Sequence, residues 1–183
     1  NDCSMSMNSK QKKRSFILIL HDIRSAHNVG SMFRTADGAG VDEIILSGYT
    51  PCPPTLHESA TGGSMPLYLT QAQKALRKTA LGAEETVPWK KRASLTRLIN
   101  QLKNDGYEVV ALEQAETSID YRKYQSSRRI ALIVGNEVGG VNEKVLKQCD
   151  IILEIPMRGQ KNSLNVSVAT GIALYQIIGT MKK

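Results

Sequence analysis

Short, wholly apolar runs alternate along this chain with longer segments of helical spacing. Phe16-Ile17-Leu18-Ile19-Leu20 is apolar at every position, the pattern of a strand buried on both faces of a parallel sheet. Asn28, a good N-cap type, precedes helical spacing from Gly30 to Gly40, with Met32, Phe33 and Ala36 on one side. Gly38 and Gly40 mark its end. Further strands are expected at Glu43 to Leu46, Thr86 to Trp89, Tyr107 to Leu112, Arg129 to Val134 and Ile151 to Ile155. Further helices are expected over Gln71 to Lys78, Leu95 to Asn104, from the loop ending at Gly140 through Gln148, and over Leu164 to Gly179. The last carries an apolar stripe of Leu164, Val168, Gly171, Ile172, Tyr175, Ile178 and Gly179. Ser47 to Pro66, with its prolines and glycines, reads as a long irregular connection. Strand and helix alternate throughout, which predicts an α/β fold with a mostly parallel sheet flanked by helices.

At 183 residues the chain suits one domain over residues 15–183. Residues 1–14, with Lys10, Lys12, Lys13 and Arg14, read as a flexible basic N-terminal arm or a remnant of cloning. The 24 Lys and Arg against 17 Asp and Glu leave a net charge of +7, which favours a polyanionic partner, nucleic acid first. Cys3, Cys52 and Cys149 are odd in number and far apart, with no C-x-x-C pair, so reduced thiols in a cytoplasmic protein are expected. No apolar run has membrane-spanning length, so no membrane partner is expected. His21, His27 and His57 lack metal-ligand spacing, and no metal is expected. Trp89 reads as core, and Lys90-Lys91-Arg92 as a solvated patch with RNA contact as the alternative.

Three loops carry the candidate chemistry. Gly135-Asn136-Glu137-Val138-Gly139-Gly140 follows a strand as a dinucleotide loop would, but Glu137 stands where the second glycine must admit a pyrophosphate. No G-K-[ST] follows either, so a zwitterionic or cationic ligand suits the loop better than a phosphate. Arg34, a turn and a half past Asn28, could grip a phosphate bidentately or pair with Asp37 at i+3. In the third segment, Pro156 ends a strand and a polar loop feeds a helix rich in Ser and Asn at its start. That is where open α/β sheets bind ligands.

The order N-x-G-x-x-x-R-T-A from Asn28, G-N-E-x-x-G from Gly135, and I-P-M-x-G-x-x-x-S-L-N-V-S-V-A from Ile155 resembles the three motifs of the SpoU/TrmH family. Lys78 to Glu84, Val87-Pro88-Trp89 and Ala111-Leu112-Glu113-Gln114 also look like family segments. These enzymes are S-adenosylmethionine-dependent RNA ribose 2′-O-methyltransferases of the SPOUT class, acting on tRNA or rRNA. The resemblance implies a sheet whose C-terminal part threads a loop as a deep trefoil knot, and a homodimer through the first and last helices. It implies cofactor contacts at Leu112, Gly135, Asn136, Gly140, Ile155, Met157, Ser163 and Leu164, and catalytic roles for Arg34, Asn28, Glu137, Ser163 and Asn165. His21 and Arg24 would lie at the site rim. A knotted RNA-binding protein without activity, or a base methyltransferase, is the alternative.

Overall fold

A computed structural model describes residues 14–55 and 68–181. Residues 1–13, His57 and much of the irregular connection lie outside the described residues. Seven strands form one sheet: β1 (Ser15–His21), β2 (Glu43–Ser47), β3 (Trp89–Arg92), β4 (Glu108–Leu112), β5 (Ile119–Asp120), β6 (Arg129–Val134) and β7 (Ile151–Glu154). Their order is β3-β2-β1-β6-β4-β7-β5, and every neighbouring pair is parallel. The helices are α1 (Ala26–Ala39), α2 (Gln71–Ala80), α3 (Ala83–Thr86), α4 (Leu95–Asn104), α5 (Glu143–Leu146) and α6 (Val166–Thr180).

Side chains along a strand alternate between faces, and here both faces are covered. Phe16, Leu18 and Leu20 pack with α1, α2, α3 and α6, whereas Ile17 and Ile19 pack with α4 and α5. That is why β1 is apolar at every position from Phe16 to Leu20. β7 lies between β4 and β5, which the chain itself joins through residues 113–118. Leu112, Leu153 and Ile119 stand level in the register, so this short segment passes across the end of β7. The tail therefore enters between two strands already connected, the arrangement a threaded chain requires.

Several elements differ from the sequence pattern, each for a local reason. α1 starts at Ala26, and its N-cap is Ser25, whose hydroxyl accepts the Asn28 N–H at 3.3 Å. Asn28 is thus in the first turn, and its side chain is free for longer-range bonds. The strand expected over Thr86 to Trp89 begins only at Trp89. Gly82, in the left-handed region at φ +93°, turns the chain into α3, which occupies Ala83–Thr86. Lys90, Lys91 and Arg92 consequently lie on an edge strand, where charge discourages further pairing. The helix expected through Gln148 is a single turn, because the Asp150 N–H already bonds the Val109 carbonyl and returns the chain to the sheet. β5 is too short to show a period. The apolar stripe of α6 faces largely outward: Val168 is 50% and Tyr175 60% exposed, while Thr170, Ala173, Leu174 and Ile177 are buried. α6 is apolar on nearly all sides, so periodicity could not choose its inner face.

α1 meets α2 at Gly30, where a Cβ would stand 2.1 Å from the Leu76 carbonyl oxygen and 2.2 Å from Thr79 Oγ1. The backbone of α2 cannot yield that space cheaply. Gly30→Ala is expected to destabilise the chain by about 1–3 kcal/mol, read as a lower urea midpoint at unchanged slope.

Candidate functional site

The carboxyl ends of β6, β4 and β7 open into a cavity of about 260 Å3. Its wall includes Leu112, Gly135, Asn136, Gly140, Ile155, Met157, Ser163 and Leu164, together with Glu137 and Asn165. Two positions tolerate only glycine. A Cβ on Gly135 would lie 2.6 Å from the main chain of Gly140, and Gly140 itself has φ +62° with Glu113 Oε2 2.1 Å from its would-be Cβ. The bottom of the cavity is therefore lined by backbone. The N–H groups of Ile155, Met157 and Leu164 donate no main-chain hydrogen bond among the described residues, leaving donors for a ligand.

A chain of side-chain hydrogen bonds ties the three loops together. Glu137 Oε1 accepts from the Asn28 amide at 3.0 Å, and Asn28 Oδ1 accepts from the Asn165 amide at 3.2 Å. Asn165 Oδ1 accepts from the Ser167 N–H at 2.8 Å and its hydroxyl at 2.6 Å, capping α6. Glu137 also accepts the N–H groups of Arg24 at 2.9 Å and Ser25 at 3.0 Å, at the entry to α1. Partial burial raises its carboxyl, but these donors outweigh that and hold it below the usual carboxylate range. An anion is also favoured at a helix N-terminus.

Asn136 organises its own loop. Its Oδ1 accepts the N–H groups of Val138 and Gly139, each at 2.8 Å, while its amide donates to the Asp22 carbonyl at 3.0 Å and to the Tyr49 hydroxyl. Sequence reasoning gave no role to Glu113 beyond its place in a family-like segment. Its carboxylate accepts the N–H groups of Val141 at 2.8 Å and Gln114 at 2.9 Å, closing the loop behind Gly140. The available signal was an acid directly after an apolar strand. Gln114 in turn donates to the Asn162 carbonyl at 2.7 Å, joining the segment after β4 to the tail.

Asn28 stands behind the cavity through these bonds and does not line it. Arg34 is not on the wall either: it is exposed on α1 and forms no ion pair among the described residues. The pairing considered for it fails, since Asp37 Oδ1 accepts instead from the Thr86 hydroxyl at 3.0 Å. His21 and Arg24 line a second cleft, beside the Gly135–Gly140 loop. Burial lowers the His21 imidazole below its usual value, against the opposing pull of the Asp22 carboxylate 3.3 Å from Nε2. Among the described residues, no group of three or more His, Cys, Asp or Glu could hold a metal ion, and no helix is long and apolar enough to cross a membrane.

The chain is similar to known proteins over most of its length. A protein of Staphylococcus saprophyticus assigned to the TrmH family of tRNA/rRNA methyltransferases is 34% identical over 176 residues, 96% of this chain and 63% of its own length. The chain thus spans less than two thirds of that relative. The AdoMet-bound rRNA methyltransferase of Sinorhizobium meliloti superposes with a TM-score of 0.75 at 27% identity, over 91% of this chain and 56% of that one. The TrmH/SpoU tRNA modifying enzyme of A. aeolicus does so with 0.72 at 26% identity, over 92% and 76%. The SpoU rRNA methylase family model matches residues 15–175, a span that takes in all three loops and their linking hydrogen bonds, and the chain belongs to that family.

Proposed function

We propose that this chain transfers the methyl group of S-adenosylmethionine to a ribose 2′-hydroxyl of tRNA or rRNA. The observation that carries the reading is the hydrogen-bonded chain Glu137–Asn28–Asn165, which binds the three loops into one frame around a backbone-lined cavity. The cavity fits the cofactor: glycine-only positions admit close approach, main-chain donors stand ready, and apolar Leu112, Ile155, Met157 and Leu164 offer walls for an adenine. S-adenosylmethionine supplies a methyl group already activated by a sulfonium charge.

What remains for the protein is to bring the 2′-oxygen into line and help it shed a proton. Glu137 is poorly suited to take that proton, since its carboxylate already serves three donors from Arg24, Ser25 and Asn28. It orients Asn28, and through it Asn165. Ser163 and Asn165 at the cavity wall hold the ribose. A guanidinium keeps its own proton at neutral pH, so Arg34 binds the substrate phosphate and stabilises negative charge developing on the 2′-oxygen. The net charge of +7 supports an RNA substrate.

A homodimer fits the outward face of α6, where Val168, Ile172 and Tyr175 are exposed apolar side chains. A two-fold pairing through α1 and α6 would cover them and bring a second α1, with its own Arg34, against the first. Ile172→Asp is expected to turn a dimer into a monomer in light scattering coupled to size exclusion. A wild-type chain that runs as a monomer would refute the pairing.

Methyl transfer from labelled S-adenosylmethionine to total RNA, with nuclease digestion and mass spectrometry, tests the reaction. Label on a ribose 2′-oxygen is the expected result. Label on a base would redirect the reading to base methylation, and RNA binding without any transfer would indicate an inactive RNA-binding protein.

A further inference from the structure

We propose that the cleft beside the Gly135–Gly140 loop, continued over the ends of β1, β2 and β3, holds the single-stranded RNA next to the methylated nucleotide, with Tyr49 as the platform on which one base stacks. This rests on the RNA methyltransferase reading and names the part of the substrate that the cofactor cavity leaves unexplained.

The cleft and the cofactor cavity share Asn136, Val138 and Gly140 as a common wall. A nucleotide bound in the cleft thus lies beside the cofactor held in the cavity, where the methyl group is transferred. Across the cleft from that wall are His21, Arg24 and Tyr49. Tyr49 is 58% exposed, so its ring is accessible to a ligand in the cleft. It is also fixed at both ends. Its N–H donates to Asp22 Oδ1 at 3.1 Å, and its hydroxyl accepts from the Asn136 amide. Asp22 is held in the left-handed region at φ +55° to make that contact, and Gly48, at φ +64°, leaves room for the carboxylate where a Cβ would stand 1.8 Å from Oδ1. A pinned ring with open faces loses little entropy when a base stacks on it.

The charges fit a backbone running outward from the site. His21, Ser47 and Arg92 stand level in the register of β1, β2 and β3, so the edge leads from the loop toward Lys91 and Arg92. Neighbouring strands lie about 4.8 Å apart, so the track from β1 to β3 is about 10 Å long, room for about two nucleotides. Arg24, Lys91 and Arg92 form no ion pair among the described residues. The acid in the cleft, Asp22, is occupied by the Tyr49 N–H and by His21. The cleft therefore presents a stacking face flanked by cations, the combination that binds single strands without sequence preference.

The test is fluorescence anisotropy of the full chain with a labelled oligoadenylate of about twelve nucleotides. Tyr49→Ala is expected to weaken binding about tenfold, and Tyr49→Phe, which keeps the ring, by no more than about threefold. Arg92→Ala is expected to lower the slope of log affinity against log salt by about one. S-adenosylmethionine binding, measured by calorimetry, should be unchanged in Arg92→Ala and equal in Tyr49→Ala and Tyr49→Phe, which both lack the hydroxyl that accepts from Asn136. Equal oligoadenylate affinity in wild type and a folded Tyr49→Ala, or no binding by wild type, would overturn the proposal. The two readings fail separately: methyl transfer with an unaltered RNA KM in Tyr49→Ala removes the cleft and spares the reaction. Tyr49-dependent binding without transfer to any RNA does the reverse.

Discussion

Arg34→Ala is expected to lower methyl transfer to RNA by about a hundred- to a thousandfold and to leave S-adenosylmethionine binding unchanged. Both halves follow from position. Arg34 is exposed on α1, outside the cavity wall, so its removal takes no contact from the cofactor. It has no ion-pair partner among the described residues, so truncation strands no buried charge and the fold should survive. What is lost, on the function proposed above, is a planar donor pair for the substrate phosphate. Arg34→Lys restores the charge but not the fork, and is expected to recover only part of the rate. Calorimetry with the cofactor and single-turnover transfer to RNA separate the two effects. Full transfer in Arg34→Ala would remove Arg34 from the reaction.

Gly140→Ala is expected to weaken S-adenosylmethionine binding at least tenfold. The added Cβ meets two obstacles. Gly140 sits at φ +62°, where an L side chain costs about 1–2 kcal/mol. The Cβ would also stand 2.1 Å from Glu113 Oε2, the oxygen that accepts the Val141 N–H. The carboxylate must swing away and leave that donor unmet, which costs about another 1–3 kcal/mol. Because 1.4 kcal/mol is a factor of ten, the two effects together give at least the expected loss once they fall on the bound geometry. Gly139→Ala is the control. Gly139 has ordinary space around it, with Asn136 Oδ1 3.8 Å from its would-be Cβ, and its N–H remains available to Asn136. Neighbouring residues of one loop should thus give opposite results, and equal affinities in the two variants would refute the argument from close approach.

Much of this architecture was legible in the residues. β1 and β6 announce themselves as unbroken apolar runs because both faces of a parallel sheet are covered. α4 was readable to the residue, since Leu95, Leu98, Ile99 and Leu102 keep one face and Ser94 caps the start. What failed was decided by distant partners. Asn28 looks like an N-cap by type, but its side chain bonds Glu137 and Asn165, which are 109 and 137 residues away. The inner face of α6 is marked by buried Thr170, whose hydroxyl donates to the Val166 carbonyl at 2.7 Å and lies 3.3 Å from Met32 Sδ. A polar residue inside and an apolar stripe outside invert the usual signal. The cavity residues were legible because motif and wall coincide. Glu113 was not, since its work is to hold the Gly140 loop in place, and no spacing in the chain encodes that.

The slot that β7 occupies also sets a timetable for folding. β1, β2, β6 and β4 can assemble as soon as their chain segments meet. Where residues 113–118 span from β4 to β5 first, β7 has to pass between strands already linked. Contacts across such separations close slowly, because loop entropy is lost before they reward it. If Asn165 reached Asn28 before β7 was seated, the tail would be fastened on the wrong side of the segment it has to pass. That early success is a trap, and the chain escapes it only by breaking correct hydrogen bonds and starting again. The lock that frames the site is, on the way to the native state, the step that has to come last.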